Sequence, residues 1–102
     1  MPRIFYVIHG AIQGVGYRNL VRTVAKRNGI RGWVRNMGDG SVRALAIGDD
    51  ASLRAFEEGI NVSVRYGPQV FAIEKHAEGD AGFPKDDKEH TDFLIEREKH
   101  QD

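Results

Sequence analysis

The stretch GAIQGVGYRNLVRTVAKRNG, Gly10 to Gly29, decides how the fold is read. It opens with three glycines in seven residues and then settles into a helical period. From Tyr17 the apolar side chains fall at Tyr17, Leu20, Val21, Val24 and Ala25. That is the i, i+3, i+4, i+7, i+8 stripe of a helix facing a core. Arg18, Asn19, Arg22, Lys26 and Arg27 lie off the stripe. Asn28-Gly29 ends the helix, because Gly enters the left-handed conformation without a Cβ penalty. Upstream, Ile4-Phe5-Tyr6-Val7-Ile8 is a β-branched and aromatic run that reads as a strand. The glycines therefore sit in a strand-to-helix turn.

The rest of the chain extends this unit. A second strand is expected from Arg31 to Asn36, the turn Met37-Gly38-Asp39-Gly40 follows, and a third strand runs from Ser41 to about Ile47. Gly48-Asp49-Asp50 supplies a turn and an acidic N-cap. A second helix buries Leu53, Phe56 and Ile60, frays near Gly59 and stops before Gly67-Pro68. Val70 to Ile73 is a fourth strand, Gly79 to Lys88 a polar loop and Phe93-Leu94-Ile95 a last short strand. The order β-α-β-β-α-β with a short fifth strand is the split β-α-β, or ferredoxin-like, plan. The expected fold class is an α+β sandwich: an antiparallel sheet of four to five strands with two helices on one face. Residues 1–96 form the domain and 97–102 a frayed tail. Sandwiches of this kind serve as enzymes, metal carriers and RNA binders, so the plan does not choose a function.

At 102 residues the chain fits one domain with a real core. It has no cysteine, which removes disulfides, a thiolate nucleophile and Cys-ligated metals. The apolar run in MPRIFYVIHG is too short to span a bilayer and lacks a signal-peptide pattern. A soluble, cytoplasmic monomer is expected. Formal charge is zero but divided: residues 1–48 carry eight Lys and Arg against Asp39 alone, and residues 49–102 carry seven against fourteen acids. The basic half can face an anion or nucleic acid, or the halves can interleave in the fold; charge along a sequence leaves both open.

Chemistry concentrates at two places. In the loop, Gly14 and Gly16 allow successive N–H groups to turn inward and form an anion nest at the helix start. Arg18 adds a planar fork suited to two phosphate or carboxylate oxygens. A cation at a helix N-terminus is disfavoured by up to about 1 kcal/mol, and a bound anion offsets that. A glycine-rich turn with a solvated Arg fits the same spacing. At the second place, Asn36 stands where Gly32-Trp33-Val34-Arg35-Asn36 enters the turn before Gly40-Ser41-Val42. A site residue and a plain turn residue are both open there.

These two stretches resemble the two signatures of the acylphosphatase family. The first signature is aliphatic-any-Gly-any-Val-Gln-Gly-Val-any-aromatic-Arg. Ile8 to Arg18 matches it, with Ile12 for Val and Tyr17 for the usual Phe. The second is matched by Gly32 to Asn36, then Gly40, Val42 and Gly48. Arg43 stands where an acid often follows, and Gly59 to Tyr66 is longer and less apolar than the family suggests. The resemblance implies that Arg18 and the amides of Gln13, Gly14, Val15, Gly16, Tyr17 and Arg18 grip a phosphate, and that Asn36 holds the attacking water. The implied substrate is an acyl phosphate, cleaved to carboxylate and inorganic phosphate. The product phosphate is expected to inhibit competitively.

The residue inventory suits this reaction. A carboxylate leaving group has a conjugate acid with pKa near ~4 to 5 and departs without protonation. Phosphoryl transfer through a loose transition state needs mainly positioning and charge stabilisation. No metal or other cofactor is expected, since His9, His76, His90 and His100 lack ligand spacing. Trp33 reads as a core or edge residue, and Asp86 to His90 as a solvated loop. Two other readings stand beside the hydrolase. One is a nucleic-acid or anion-binding module without catalysis, although the chain lacks a Lys/Arg-Gly-Phe/Tyr motif and nucleic acid is not the expected partner. The other is the same fold serving a larger carbamoyl- or acyl-transfer enzyme.

Overall fold

The structure, a computed structural model, describes residues 1–86 and 88–97. Its elements are β1 (Arg3–Ala11), α1 (Tyr17–Arg27), β2 (Arg31–Asn36), β3 (Val42–Ile47), α2 (Asp50–Ile60), β4 (Gln69–Ala77) and β5 (Phe93–Glu96). The strands form one sheet in the order β4-β1-β3-β2-β5. This is the ferredoxin-like α+β plan.

Strand alternation sorts the sheet into two faces. Tyr6, Ile8, Val34, Val42, Ala44 and Ala46 point to one side. There they pack with Tyr17, Val21 and Val24 of α1 and Leu53, Phe56 and Ile60 of α2. Gly59 lies inside α2 against the Val24 side chain, which a Cβ at this position would strike. Its role is close helix approach, and α2 runs through it to Ile60 instead of fraying. Phe5, Trp33, Leu45 and Ile47 form a second cluster on the other side of the sheet, with Phe83 packed against it.

The sheet departs from the expected antiparallel pattern at one edge. β1–β3, β1–β4 and β2–β3 are antiparallel, but β5 pairs in parallel with β2, in the register Gly32↔Phe93 to Arg35↔Glu96. β1 and β2 are both antiparallel to β3, so they run the same way, and β4 runs opposite to them. The chain leaves β4 at one edge, crosses the face away from the helices and reverses. Its next strand is therefore parallel to β2.

β1 and β4 are also longer than their apolar runs suggest. β4 lies at the edge, so polar Glu74, Lys75 and His76 extend it on surfaces that face solvent. The crossing segment is not simply a solvated loop. The Asp86 carboxylate is mostly buried and accepts from the Trp33 indole N–H at 3.1 Å and the Lys88 amide at 3.0 Å, with His90 Nε2 at 3.2 Å. Burial alone would raise this carboxyl, but those hydrogen bonds together hold it below the usual carboxylate range. Of the tail expected at 97–102, residues 98–102 lie outside the described residues, as does Asp87. Among the described residues, no helix is long and apolar enough to cross a membrane.

Candidate active site

The strand order brings the two motifs together. β1 and β2 run in the same direction on either side of β3, so their C-terminal ends lie at one edge of the sheet. The loop leaving β1 therefore meets Asn36, the last residue of β2. Ile12, Gly14, Gly16, Tyr17, Arg18, Asn19 and Asn36 surround one recess of about 360 Å³, closed on a third side by Ile95 of β5.

The loop owes its path to glycine. Gly14 (φ 76) and Gly16 (φ 80) are both left-handed, and the space where each would carry a Cβ is open. Conformation, not crowding, selects glycine here. Gly16 is the N-cap of α1, and no side chain caps it. The Leu20 N–H bonds back to the Gly16 carbonyl at 3.1 Å. The amides of Tyr17, Arg18 and Asn19 precede that bond, so they have no acceptor within the helix. The first turn holds no acid. Arg18 is half-buried at this same end, and among the described residues no carboxylate pairs with it.

Asn36 is also partly buried, and its Oδ1 has no hydrogen-bond partner among the described residues. A buried acceptor left unmade costs roughly 1–3 kcal/mol, so such a group calls for a reason. The Gln13 side chain fixes the distance between loop and hairpin. Its Nε2 donates to the Met37 carbonyl at 2.7 Å and the Ser41 carbonyl at 2.9 Å, bridging the mouth of the β2–β3 turn. Within that turn the Asp39 carboxylate accepts from the Ser41 amide and hydroxyl at 2.9 and 2.6 Å. The Ser41 hydroxyl and amide bonds hold the Asp39 carboxyl below its usual range. Tyr17 anchors the start of α1 by donating from its buried hydroxyl to the Ile60 carbonyl at 2.8 Å. Burial raises this phenol far above its ordinary pKa, so it stays a donor.

Of the sequence-predicted residues, Gly14, Gly16, Tyr17, Arg18 and Asn36 line the recess, whereas the exposed Val15 is outside its lining, and so is Gln13. Both N–H donors of the Gln13 side-chain amide are spent on the hairpin, so its backbone N–H is the donor left for an anion. The Gln13 bridge and the contribution of Ile95 were not foreseen. A polar side chain one to five residues from the loop glycines and the arginine is the only local hint of the bridge. Among the described residues, no group of three or more His, Asp or Glu side chains is arranged to hold a metal ion.

A recess at a bare helix N-terminus, lined by Arg18 and by Asn36 with its orphan acceptor, has the character of an anion site in an α+β domain. Comparison with known proteins makes the class specific. The acylphosphatase family model matches residues 4–95. An acylphosphatase of Nitratidesulfovibrio vulgaris is 42% identical over 74 residues, 72% of this chain and 70% of that protein. One of Actinobacillus succinogenes is 33% identical over 92 residues, 90% of this chain and 94% of that protein. The crystal structure of acylphosphatase from Bacillus subtilis superimposes with a TM-score of 0.76 at 28% identity, covering 93% of this chain and 98% of the other. The chain belongs to the acylphosphatase family, and its activity is hydrolysis of the carboxyl–phosphate bond of acyl phosphates.

Proposed function

We propose that Arg18 and the amides from Gln13 to Arg18 hold the phosphoryl group and that Asn36 holds the nucleophile. The observation that carries this reading is the pairing of unmet demands in one recess. Arg18 is a cation without a counter-charge among the described residues, and Asn36 Oδ1 is an acceptor without a donor. A phosphate answers the first and a water the second. The water donates one O–H to Oδ1, which turns an oxygen lone pair toward phosphorus. Attack forms the new P–O bond as the bond to the carboxyl oxygen breaks, and the carboxylate leaves with that electron pair. The second water proton passes to a phosphate oxygen. The guanidinium fork and the loop amides take up charge on the three equatorial oxygens. No general acid is needed, because the leaving carboxylate is the conjugate base of an acid with pKa near ~4 to 5.

This reading makes residues 1–96 a metal-independent catalytic domain, acting as a cytoplasmic monomer on small acyl phosphates with inorganic phosphate as product and competitive inhibitor. The test is hydrolysis of an aryl acyl phosphate with and without EDTA, with added phosphate as inhibitor. The expected result is equal rates with chelator and competitive inhibition by phosphate. Simple alkyl phosphates are expected to be poor substrates, since an alkoxide leaving group requires a general acid. Chelator-sensitive turnover, or efficient cleavage of an alkyl phosphate, overturns the mechanism.

A further inference from the structure

The face of the sheet turned away from the helices carries a second recess, about 480 Å³, that the catalytic chemistry does not use. Phe5 and Trp33 of the buried cluster on that face are part of its lining. Five cationic side chains border it: Arg35 from β2, Arg43 from β3, Lys85 and Lys88 from the crossing segment, and Arg97 just beyond β5. Only two carboxylates join them, Asp86 and Glu96, so the described lining carries three cations in excess with His90 neutral.

Both carboxylates are already engaged. Asp86 accepts from the Trp33 indole and the Lys88 amide, and Glu96 accepts from Arg35 at 2.7 Å. Arg35 and Arg43 are direct cross-strand partners, which sets two like charges opposite each other on one face. The Nε atoms of both are buried without an acceptor among the described residues. Asp39 feels the Arg43 charge, but its carboxylate is taken by Ser41. Opposed guanidinium groups with unmet buried donors are unfavourable for an empty fold. They are favourable around an anion with several oxygens, because each Arg offers a planar fork. The cations converge on one concavity from four segments instead of forming a stripe, which fits a compact ligand better than a nucleic-acid backbone.

We propose that this recess is a second anion site, separate from the catalytic loop, that takes a small ligand bearing a diphosphate. Free pyrophosphate and the phosphate chain of a nucleoside diphosphate share that chemistry. Trp33, the single tryptophan of the chain, is a built-in reporter. The Arg35 guanidinium carbon lies 4.1 Å from its ring centroid, so an anion drawing on Arg35 changes the ring's surroundings.

The experiment titrates pyrophosphate into the full chain and follows Trp33 emission, with calorimetry alongside. It is repeated in Arg18→Ala, which disables the catalytic loop, and in Arg43→Gln. The expected result is an emission change that persists in Arg18→Ala and shifts to about tenfold weaker affinity in Arg43→Gln, the loss of one charge-assisted contact. The thermal midpoint of Arg43→Gln is expected to equal or exceed that of the parent, since an opposed charge is gone. If Arg43→Gln does not fold, Lys85→Gln, on an exposed side chain, takes its place with the same expectation. Equal affinity for ADP and pyrophosphate assigns recognition to the diphosphate alone, and tighter binding of ADP assigns a share to the nucleoside. An absent response, a response lost in Arg18→Ala, an affinity indifferent to both charge removals, or binding of a short single-stranded oligonucleotide without binding of pyrophosphate overturns the proposal.

Discussion

The two helices of this domain begin in opposite ways. α2 starts behind Asp49, whose carboxylate accepts from the Ser52 amide at 2.7 Å, and Asp50 adds a second acid in the first turn. Both features complement the positive end of the helix dipole. α1 starts behind a left-handed Gly16 with no side-chain cap and no acid in its first turn, and it places Arg18 there. At the far end α1 behaves normally, with Lys26 and Arg27 in the last turn. One chain therefore both obeys and violates the same electrostatic rule, and the violation coincides with the recess proposed as the active site. An α2-type start completes itself within the protein. An α1-type start leaves its amides uncapped by any side chain, and on the proposed reading an incoming anion completes it.

The sharpest way to break the contrast is to remove the cation. Arg18→Ala is expected to lower turnover of an aryl acyl phosphate by about a thousandfold, the scale of losing a preorganised charged donor from a transition state. Phosphate binding by calorimetry is expected to vanish with it. Arg18→Lys should rescue little, since it keeps the charge and loses the fork. Unchanged phosphate affinity in Arg18→Ala would place the anion elsewhere. The next largest effect separates binding from chemistry. Asn36→Ala is expected to reduce kcat by about a hundredfold with phosphate affinity nearly intact, the pattern of an interaction used mainly in the transition state. Normal single-turnover rates with a lowered thermal midpoint would make Asn36 a turn residue only.

The α1 half of the comparison was readable in the sequence because its signals are local. The stripe from Tyr17 to Ala25, the two loop glycines and the misplaced Arg18 all lie within sixteen residues of Gly10. The meeting of Arg18 with Asn36 was not readable from spacing. It depends on β3 lying between β1 and β2, a non-local pairing that periodicity does not encode. Family resemblance implied the meeting, and strand direction explains it. The parallel β5 escaped for a related reason: it is set by the path of residues 78–92 across the sheet, whose polar composition reads as loop. Asp86 shows the limit most clearly. Its neighbours in sequence are charged, yet Trp33, which donates to it, is 53 positions away.

A smaller effect tests the α2 side. Asp49→Ala is expected to lower the thermal midpoint by a few degrees at neutral pH and to leave turnover unchanged. Hydrogen bonds from the Ser52 amide and hydroxyl hold the Asp49 carboxyl below its ordinary value. A depressed carboxyl contributes stability above its unfolded pKa of about 3.9 and loses it as pH falls through the lower folded value. The gap between parent and variant midpoints should therefore be full at neutral pH and close below about pH 4. A gap that does not change with acid would assign the loss to packing and not to the cap.

The smallest effect is the most direct measure of the contrast. If α1 keeps an unfavourable cation for the sake of a ligand, removing it should help the empty protein. Arg18→Ala is expected to be a few tenths of a kcal/mol more stable than the parent in anion-free buffer of low ionic strength. Phosphate should reverse the order, because a ligand that binds only the folded state stabilises it by RT ln(1 + [L]/Kd), about 1.4 kcal/mol at ten times Kd. The parent gains this and the variant does not. Screening adds a control: raising salt with a non-binding anion should erase the variant's advantage without restoring the parent's response to phosphate. Denaturant melts of the two proteins, with and without phosphate, read all of these terms. A variant less stable than the parent in anion-free buffer would mean that Arg18 holds the fold together, and the bare start of α1 would then need a structural explanation.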